Sequence, residues 1–215
     1  MIELLQFPLD LILNLDTHLV TLLKQYGVWL YAILFLIVFA ETGLVVTPWL
    51  PGDSLLFAVG TLAAIDTSGN LDTTTAAVLL VIAAILGNSC NYAIGKFIGP
   101  PAFSGRYRLL KVEYLRQTEA YFAKHGGKTV VLSRFLPILR TFAPFVAGIA
   151  RMHYGRFQTY NFLGAVSWVS VFLGGGYLFG NIPWVRDNFG LVTLMIVFGS
   201  LLPVGFVALR ERLRR

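Results

Sequence analysis

The chain has 215 residues, of which 56% are apolar and 13% are charged, and its mean hydropathy is +0.71. Soluble domains usually carry about 25% charged residues, so this composition argues against a water-soluble fold, which would expose large apolar patches. The net charge of +6 comes without interleaved aromatic and basic residues, and a single cysteine excludes an intrachain disulfide. The composition therefore predicts one integral membrane domain, 1–215, that binds membrane lipids and no nucleic acid.

The first two predicted elements lie before the first proline-rich segment of the membrane domain. Residues 3–23 are apolar but carry several acids, which is typical of an amphipathic helix at the membrane interface. The sequence leaves open whether this helix crosses the bilayer. Residues 26–41 lack basic side chains and predict a membrane helix.

The segment 42–65 is apolar but contains helix-breaking residues near its middle. Pro48, Pro51 and Gly52 interrupt it there. The backbone groups that such a break frees must be buried in protein or line a wet cavity, because lipid cannot satisfy them. Residues 42–65 are therefore predicted to form a re-entrant hairpin, with Trp49 beside its break as a candidate substrate contact.

The next apolar segment, 73–98, is long enough to span the membrane as one helix. Asn88, Asn91, Tyr92 and Gly95 recur in it at steps of three and four residues and so share one face. A polar stripe on a membrane helix is expected to face the protein interior. Asn88, Asn91 and Tyr92, together with Trp49, are predicted to line a polar cavity.

The longest polar segment, 99–127, is rich in Lys and Arg and is predicted to be cytoplasmic, with a surface helix over 112–124. Residues 128–150 are again apolar but contain Pro137 and Pro144. We predict a second re-entrant hairpin there, with both prolines as breaks.

Two further apolar segments, 157–180 and 191–209, are predicted to be membrane helices. The chain closes with a basic segment, 210–215, which predicts a cytoplasmic C-terminus. Counting back from that end, the two hairpins enter the membrane from opposite sides, each followed by a span. This is the layout of an inverted-repeat transporter, in which the substrate binds near the midplane. The predicted fold is thus all-α, with about four spanning helices and two oppositely oriented hairpins.

Four ionisable side chains are predicted to lie at membrane depth: Glu41, Asp53, Arg134 and Arg140. A charge near the bilayer centre costs at least about 2.5 kcal/mol, so such residues usually are paired or face water. The alternative is that residues 42–56 form an external loop and that all four charges lie in ordinary interfacial turns.

The two arginines suit a phosphate group, because a guanidinium can donate two parallel hydrogen bonds to it. A break at Pro137 would let Arg134 and Arg140 converge on one anion. The two acids suit proton coupling, because desolvation and a nearby arginine act on a carboxylate in opposite directions. We therefore expect one or both of Glu41 and Asp53 to exchange a proton during transport.

Three motifs resemble those of the DedA family, whose members are also called SNARE-associated or VTT-domain proteins. They are ETGLVVTPWLPGDSLLF over 41–57, SRFLPILRTFAPFVAG over 133–148 and GNSCNYAIGK over 87–96. The family commonly has Asp and Arg where this chain has Asn88 and Lys96. That difference bears on coupling if the family's Asp carries protons or ions.

The resemblance implies a multi-pass protein of the bacterial inner membrane with two re-entrant hairpins and a role in envelope maintenance. It implies dependence on protons or on the membrane potential, with functional residues at Glu41, Asp53, Arg134 and Arg140. Some family members are described as flippases for undecaprenyl phosphate, and others for phospholipids. We therefore expect a flippase for a phosphate-bearing lipid.

Three other function classes compete with this expectation. A membrane phosphatase would need a nucleophile or a histidine beside the arginines, and neither broken segment contains a histidine. The chain is therefore expected not to be an enzyme and to use no cofactor and no metal. A proton-coupled small-ion antiporter and a non-transporting assembly factor stay open as alternatives, and a homo-oligomer is compatible with the sequence.

Overall fold

The computed structural model describes residues 27–44, 52–66, 69, 71–98, 126–188, 191–192, 194–196 and 199. In these ranges the chain is helical, without strands. Its helices are α1 (Trp29–Gly43), α2 (Gly52–Ile65), α3 (Thr73–Ile98), α4 (Lys128–Ser133), α5 (Pro137–Ile149), α6 (Tyr154–Phe179) and α7 (Pro183–Asp187). The predicted segment 3–23 and most of the predicted segments 99–127 and 191–209 lie outside the described residues.

In the part of the chain that the structure describes, two helices, α3 and α6, are long and apolar enough to cross a membrane, each with 26 residues. At about 1.5 Å per residue each is about 39 Å long, which exceeds a hydrocarbon core of about 30 Å. Only 39% and 33% of their most apolar windows are buried inside the protein. Apolar side chains such as Val78, Ile82 and Leu86 follow one another on the exposed side of α3. Such a surface suits contact with lipid better than contact with water.

The start of α3 is fixed by a side-chain cap. Asp72 Oδ2 accepts a hydrogen bond of 2.6 Å from the amide of Thr75, in the way that an N-cap aspartate satisfies a free amide of the first turn. This hydrogen bonding by Thr75 holds the pKa of Asp72 below its ordinary value. The amide of Asp72 donates to the Tyr31 hydroxyl at 2.8 Å, so α1 also contacts the turn before α3.

The chain divides into two compact units, and the first contains residues 1–37, 50–80 and 169–215. Its central element is α2, which is buried from Gly52 to Leu62. This helix packs on the C-terminal half of α6 through glycines. A Cβ on Gly60 would lie 2.0 Å from the Leu173 carbonyl oxygen, and one on Gly176 would lie 2.0 Å from that of Phe57. The two backbones therefore approach as closely as glycine permits.

The second unit contains residues 38–49 and 81–168. Here the short helix α5 packs on the C-terminal half of α3, again through glycines. A Cβ on Gly95 would lie 2.1 Å from the Phe145 carbonyl oxygen, and one on Gly148 would lie 2.1 Å from that of Tyr92. Each unit thus pairs one short buried helix with the C-terminal half of one 26-residue helix.

Candidate functional site

The site begins at a break in the helical segment 128–149 of the second unit. Helix α4 ends at Ser133 and α5 begins at Pro137, with Leu136 extended at φ −121° and ψ 108°. Proline disfavours a helical conformation in the residue before it, which accounts for the extended Leu136. The break places Arg134 at the C-cap of α4 and Arg140 in the first turn of α5.

Arg140 forms a buried ion pair with Glu41, a residue near the C-terminal end of α1. Arg140 Nη2 lies 2.6 Å from Glu41 Oε1, and the two side chains are 4% and 0% exposed. The guanidinium also lies over the Trp168 ring of α6, 5.4 Å from its centroid. A delocalised cation against an aromatic face is a favourable contact once both are removed from water.

Arg134 is buried as well, at 1% exposure, but its side-chain partners are neutral. Its Nη2 donates to Asn161 Oδ1 at 2.7 Å and to the Ala84 carbonyl at 3.2 Å. Gly164 makes room for it, because a Cβ there would lie 3.1 Å from Arg134 Cδ. The charge on Arg134 is repelled by Arg140 and attracted by Glu41, so the three groups form one electrostatic cluster.

Within the described part of the chain, Arg134 Nε and Nη1 have no hydrogen-bond partner. Buried polar groups are nearly always hydrogen-bonded, and an unsatisfied one is costly. Among the described residues of this unit, the buried acidic and basic side chains are Glu41, Arg134 and Arg140, whose formal charges sum to +1. The cluster therefore offers hydrogen-bond donors and a surplus positive charge to an anion.

Asn161 of α6 connects Arg134 to the polar residues of α3, and it is not among the site residues predicted from the sequence. Its Oδ1 accepts from Arg134 and, at 3.1 Å, from Asn88 Nδ2. Its Nδ2 donates to the Ile85 carbonyl at 3.1 Å and to Gln158 Oε1 at 2.9 Å. Tyr154, Gln158 and Asn161 recur at helical spacing within an apolar helix, and this polar stripe is the sequence signal that could have revealed Asn161.

The polar stripe of α3 is buried, and its residues bind neighbouring backbone. Asn91 Nδ2 donates to the Thr42 carbonyl at 3.2 Å and to the Thr141 carbonyl at 2.9 Å. The Tyr92 hydroxyl donates to the Met152 carbonyl. These amides and hydroxyls hold α1, α3 and α5 together around the cluster.

One predicted break is wrong. Pro144 lies inside α5, which continues to Ile149. Proline removes the hydrogen bond to the carbonyl four residues earlier, but packing against neighbouring helices can support a membrane helix through such a site. The Asn91 amide donates to the Thr141 carbonyl, which is next to the Arg140 carbonyl that the missing amide of residue 144 would have bonded.

The remaining predicted residues belong to the first proline-rich segment. Asp53 lies in the first turn of α2, 6% exposed, and Gly52 is the first residue of that helix. Both belong to the first unit, whereas Glu41, Arg134 and Arg140 belong to the second. Pro48, Trp49 and Pro51 lie outside the described residues. Among the residues the structure does describe, no group of three His, Cys, Asp or Glu side chains could hold a metal ion.

Comparison with known proteins gives the family. The family model described as VTT domain matches residues 50–178. The chain is 51% identical to protein DedA of Escherichia coli K12 over 94% of its own length and 92% of that protein. It is 41% identical to the uncharacterized membrane protein ML0287 of Mycobacterium leprae, over 78% of the chain and 74% of the relative.

A third relative is the inner membrane protein YghB of E. coli K12, which is 33% identical over 89% of the chain and 84% of the relative. No solved structure matches the chain. The family match covers more than half of the sequence, and the first of these relatives is matched over nearly its whole length. The chain therefore belongs to the DedA family of VTT-domain membrane proteins.

Proposed function

We propose that this protein is a flippase of the bacterial inner membrane that moves a phosphate-bearing lipid, undecaprenyl phosphate or a phospholipid, across the bilayer. The observation that carries the proposal is Arg134, which is buried with two guanidinium nitrogens lacking a hydrogen-bond partner in the described part of the chain. A phosphate would supply an acceptor to one of these nitrogens and would neutralise the surplus charge of the cluster.

The lengths of α2 and α5 support a carrier with two re-entrant hairpins. With 14 and 13 residues, α2 and α5 are about 21 Å and 20 Å long, which is less than a hydrocarbon core of about 30 Å. Each is largely buried against the C-terminal half of a helix that is long enough to span. We assign α2 and α5 to the two hairpins, which enter from opposite sides and expose the site alternately while the lipid tail stays in the bilayer.

Proton coupling is the second part of the proposal. Protonation of Glu41 would weaken its ion pair with Arg140 and free that guanidinium for the phosphate. Proton binding and substrate binding would then be linked through one side chain. Asp53, buried at the start of α2, is proposed to serve the corresponding role in the first unit.

The test is a translocation assay in sealed vesicles that contain the purified protein. Fluorescent undecaprenyl phosphate and a fluorescent phosphatidylethanolamine are supplied separately, and reduction by external dithionite reports the lipid in the outer leaflet. Arg134→Gln is compared with Arg156→Gln, which removes the same charge from an exposed position of α6. Size-exclusion profiles and thermal unfolding establish that both variants are folded.

We expect Arg134→Gln to slow translocation at least about tenfold, which corresponds to the loss of one hydrogen bond between charged groups. Arg156→Gln should keep the wild-type rate. Equal rates for wild type and Arg134→Gln would refute the role of Arg134. If wild-type protein moves neither lipid but dissipates an ion gradient, the small-ion antiporter is favoured. If it does neither, the assembly factor is favoured.

A further inference from the structure

A second polar site lies in the same unit, where the end of α3 meets the turn between α5 and α6. It is an open pocket of about 530 Å³, lined by Tyr92, Lys96, Arg151, Met152, His153 and Tyr154. Two of these residues have basic side chains and none is a carboxylate. Lys96 and Arg151 are exposed, so the pocket is accessible from outside the protein.

Arg151 stands at a backbone position that ordinarily holds glycine. Its φ of 51° is the one positive φ among the described residues other than glycine. The amide of Arg151 donates to the Gly148 carbonyl at 3.0 Å, and that of Met152 donates to the Ala147 carbonyl at 3.0 Å. These two bonds form the Schellman motif that ends α5, with Arg151 at the position that favours glycine.

A side chain at this position costs conformational energy, because the left-handed region is disfavoured for residues with a Cβ. Residues held in such conformations concentrate at ligand sites, where the surrounding structure fixes them. Here the Tyr92 hydroxyl, which binds the Met152 carbonyl, fixes the turn. The fold thus keeps a cation at the pocket wall where glycine would be easier to accommodate.

A continuous chain of hydrogen bonds leads from this pocket to the buried cluster. Gln158 Nε2 donates to the Tyr154 hydroxyl at the pocket, and Gln158 Oε1 accepts from Asn161 Nδ2. Asn161 Oδ1 then accepts from Arg134. Tyr154 therefore lines the pocket and also begins the chain of hydrogen bonds that ends at Arg134.

We infer that the pocket formed by Lys96, Arg151, His153 and Tyr154 binds the phosphate of an anionic lipid headgroup before it reaches Arg134. The passage of the lipid from this pocket to Arg134 rests on the proposed function, whereas phosphate binding at the pocket does not depend on transport. The chemistry recognised is a phosphate presented to two cations and a hydroxyl. A lipid headgroup and free phosphate share that chemistry, so the test must separate them.

The experiment is a calorimetric titration of the purified full-length chain in detergent micelles. The probes are dioctanoyl phosphatidate, inorganic phosphate, and dioctanoylglycerol, which has the same chains without the phosphate. The decisive variant is Arg151→Gly, because glycine relieves the left-handed backbone and so cannot lose binding through misfolding. It is combined with Lys96→Gln and compared with Arg156→Gln, an exposed charge of α6 that does not line the pocket.

We expect saturable binding of the phosphatidate that is weakened at least about tenfold in Arg151→Gly with Lys96→Gln, because two charged hydrogen-bond donors are lost. Arg156→Gln should bind like wild type, and dioctanoylglycerol should not compete. Competition by inorganic phosphate would identify the phosphate alone as the ligand, whereas its failure to compete would identify the lipid headgroup. Unchanged affinity in the double variant, or no saturable binding by wild type, would overturn the inference.

The same preparations separate this inference from the proposed function. Arg134→Gln should bind phosphatidate at the pocket with wild-type affinity and yet fail in the translocation assay. If Arg134→Gln translocates normally while the pocket variants lose binding, the pocket stands and the proposed function fails. If the pocket variants bind normally while Arg134→Gln stops transport, the pocket inference fails alone.

Discussion

Arg140 Nη2 and Glu41 Oε1 lie 2.6 Å apart with both side chains buried, and this contact joins the end of α1 to the first turn of α5. Either charge, if buried here without its counter-charge, would carry a large desolvation cost. The pair therefore fixes how α5 begins after the break at residues 134–136. Arg134, the other buried cation among the described residues of this unit, has a neutral amide as its direct side-chain partner.

The ion pair should show strong thermodynamic coupling. We expect Glu41→Gln and Arg140→Gln each to lower the free energy of unfolding by about 3 kcal/mol, because each leaves a buried charge without its counterpart. The double variant should lose at least about 1 kcal/mol less than the sum of the two. Thermal and denaturant unfolding in detergent micelles measure this cycle, and additive losses would contradict the pairing.

Asn161 should matter as much for function as the arginine it holds. Asn161→Leu leaves Arg134 Nη2 and Asn88 Nδ2 without their shared acceptor, at a cost of about 1–3 kcal/mol for a buried unsatisfied group. We expect lower thermal stability and slower translocation. Asn161→Asp keeps an acceptor for Arg134 and should be the more stable of the two. Thr159→Ala, on the exposed side of α6, is the matched control. Equal behaviour of Asn161→Leu and this control would show that the contact is unimportant.

Close packing of α2 on α6 gives a prediction that compares two glycines of one helix. A Cβ on Gly176 would meet the Phe57 carbonyl oxygen at 2.0 Å, whereas one on Gly174 meets nothing within 4 Å. Gly176→Ala should therefore cost about 1–3 kcal/mol through overpacking. Gly174→Ala should be neutral or stabilise by up to about 1 kcal/mol through helix propensity. Melting temperatures of both variants decide the matter, and equal values would argue against this packing.

Proton coupling can be examined through the two buried acids. In vesicles with an imposed pH gradient, we expect wild-type translocation to follow the gradient. Glu41→Gln and Asp53→Asn should each lose that dependence, because an amide cannot take up or release the proton. Wild-type pH dependence retained in both variants would exclude these carboxylates as the coupling groups. Asp66→Asn, in the loop after α2, controls for a general effect of removing an acid.

Much of the site followed from elementary chemistry. Glu41, Arg134 and Arg140 were predicted as site residues because a charged side chain in an apolar segment is costly unless it is paired or faces water. The structure brings the three into one electrostatic cluster. The bounds predicted for the helix over 73–98 match those of α3, because an apolar run of this length without proline favours a single continuous helix.

Other features depended on tertiary contacts that a sequence does not display. Asn161 is a neutral amide whose importance comes from Arg134 on another helix. Pro144 was expected to break α5, but neighbouring helices support the backbone there. The left-handed Arg151 could not be foreseen, because the residue type gives no hint of a glycine-like conformation.

The central claim is that Arg134 holds the phosphate of the substrate, and a distance measurement tests it most directly. Protein labelled with ¹⁵N-arginine is reconstituted with undecaprenyl phosphate, and ³¹P–¹⁵N dipolar dephasing is recorded by solid-state NMR for wild type and Arg134→Gln. The account predicts dephasing of a guanidinium signal that disappears in Arg134→Gln and persists in Arg156→Gln. Identical dephasing in wild type and Arg134→Gln would show that the phosphate binds elsewhere and would contradict the account.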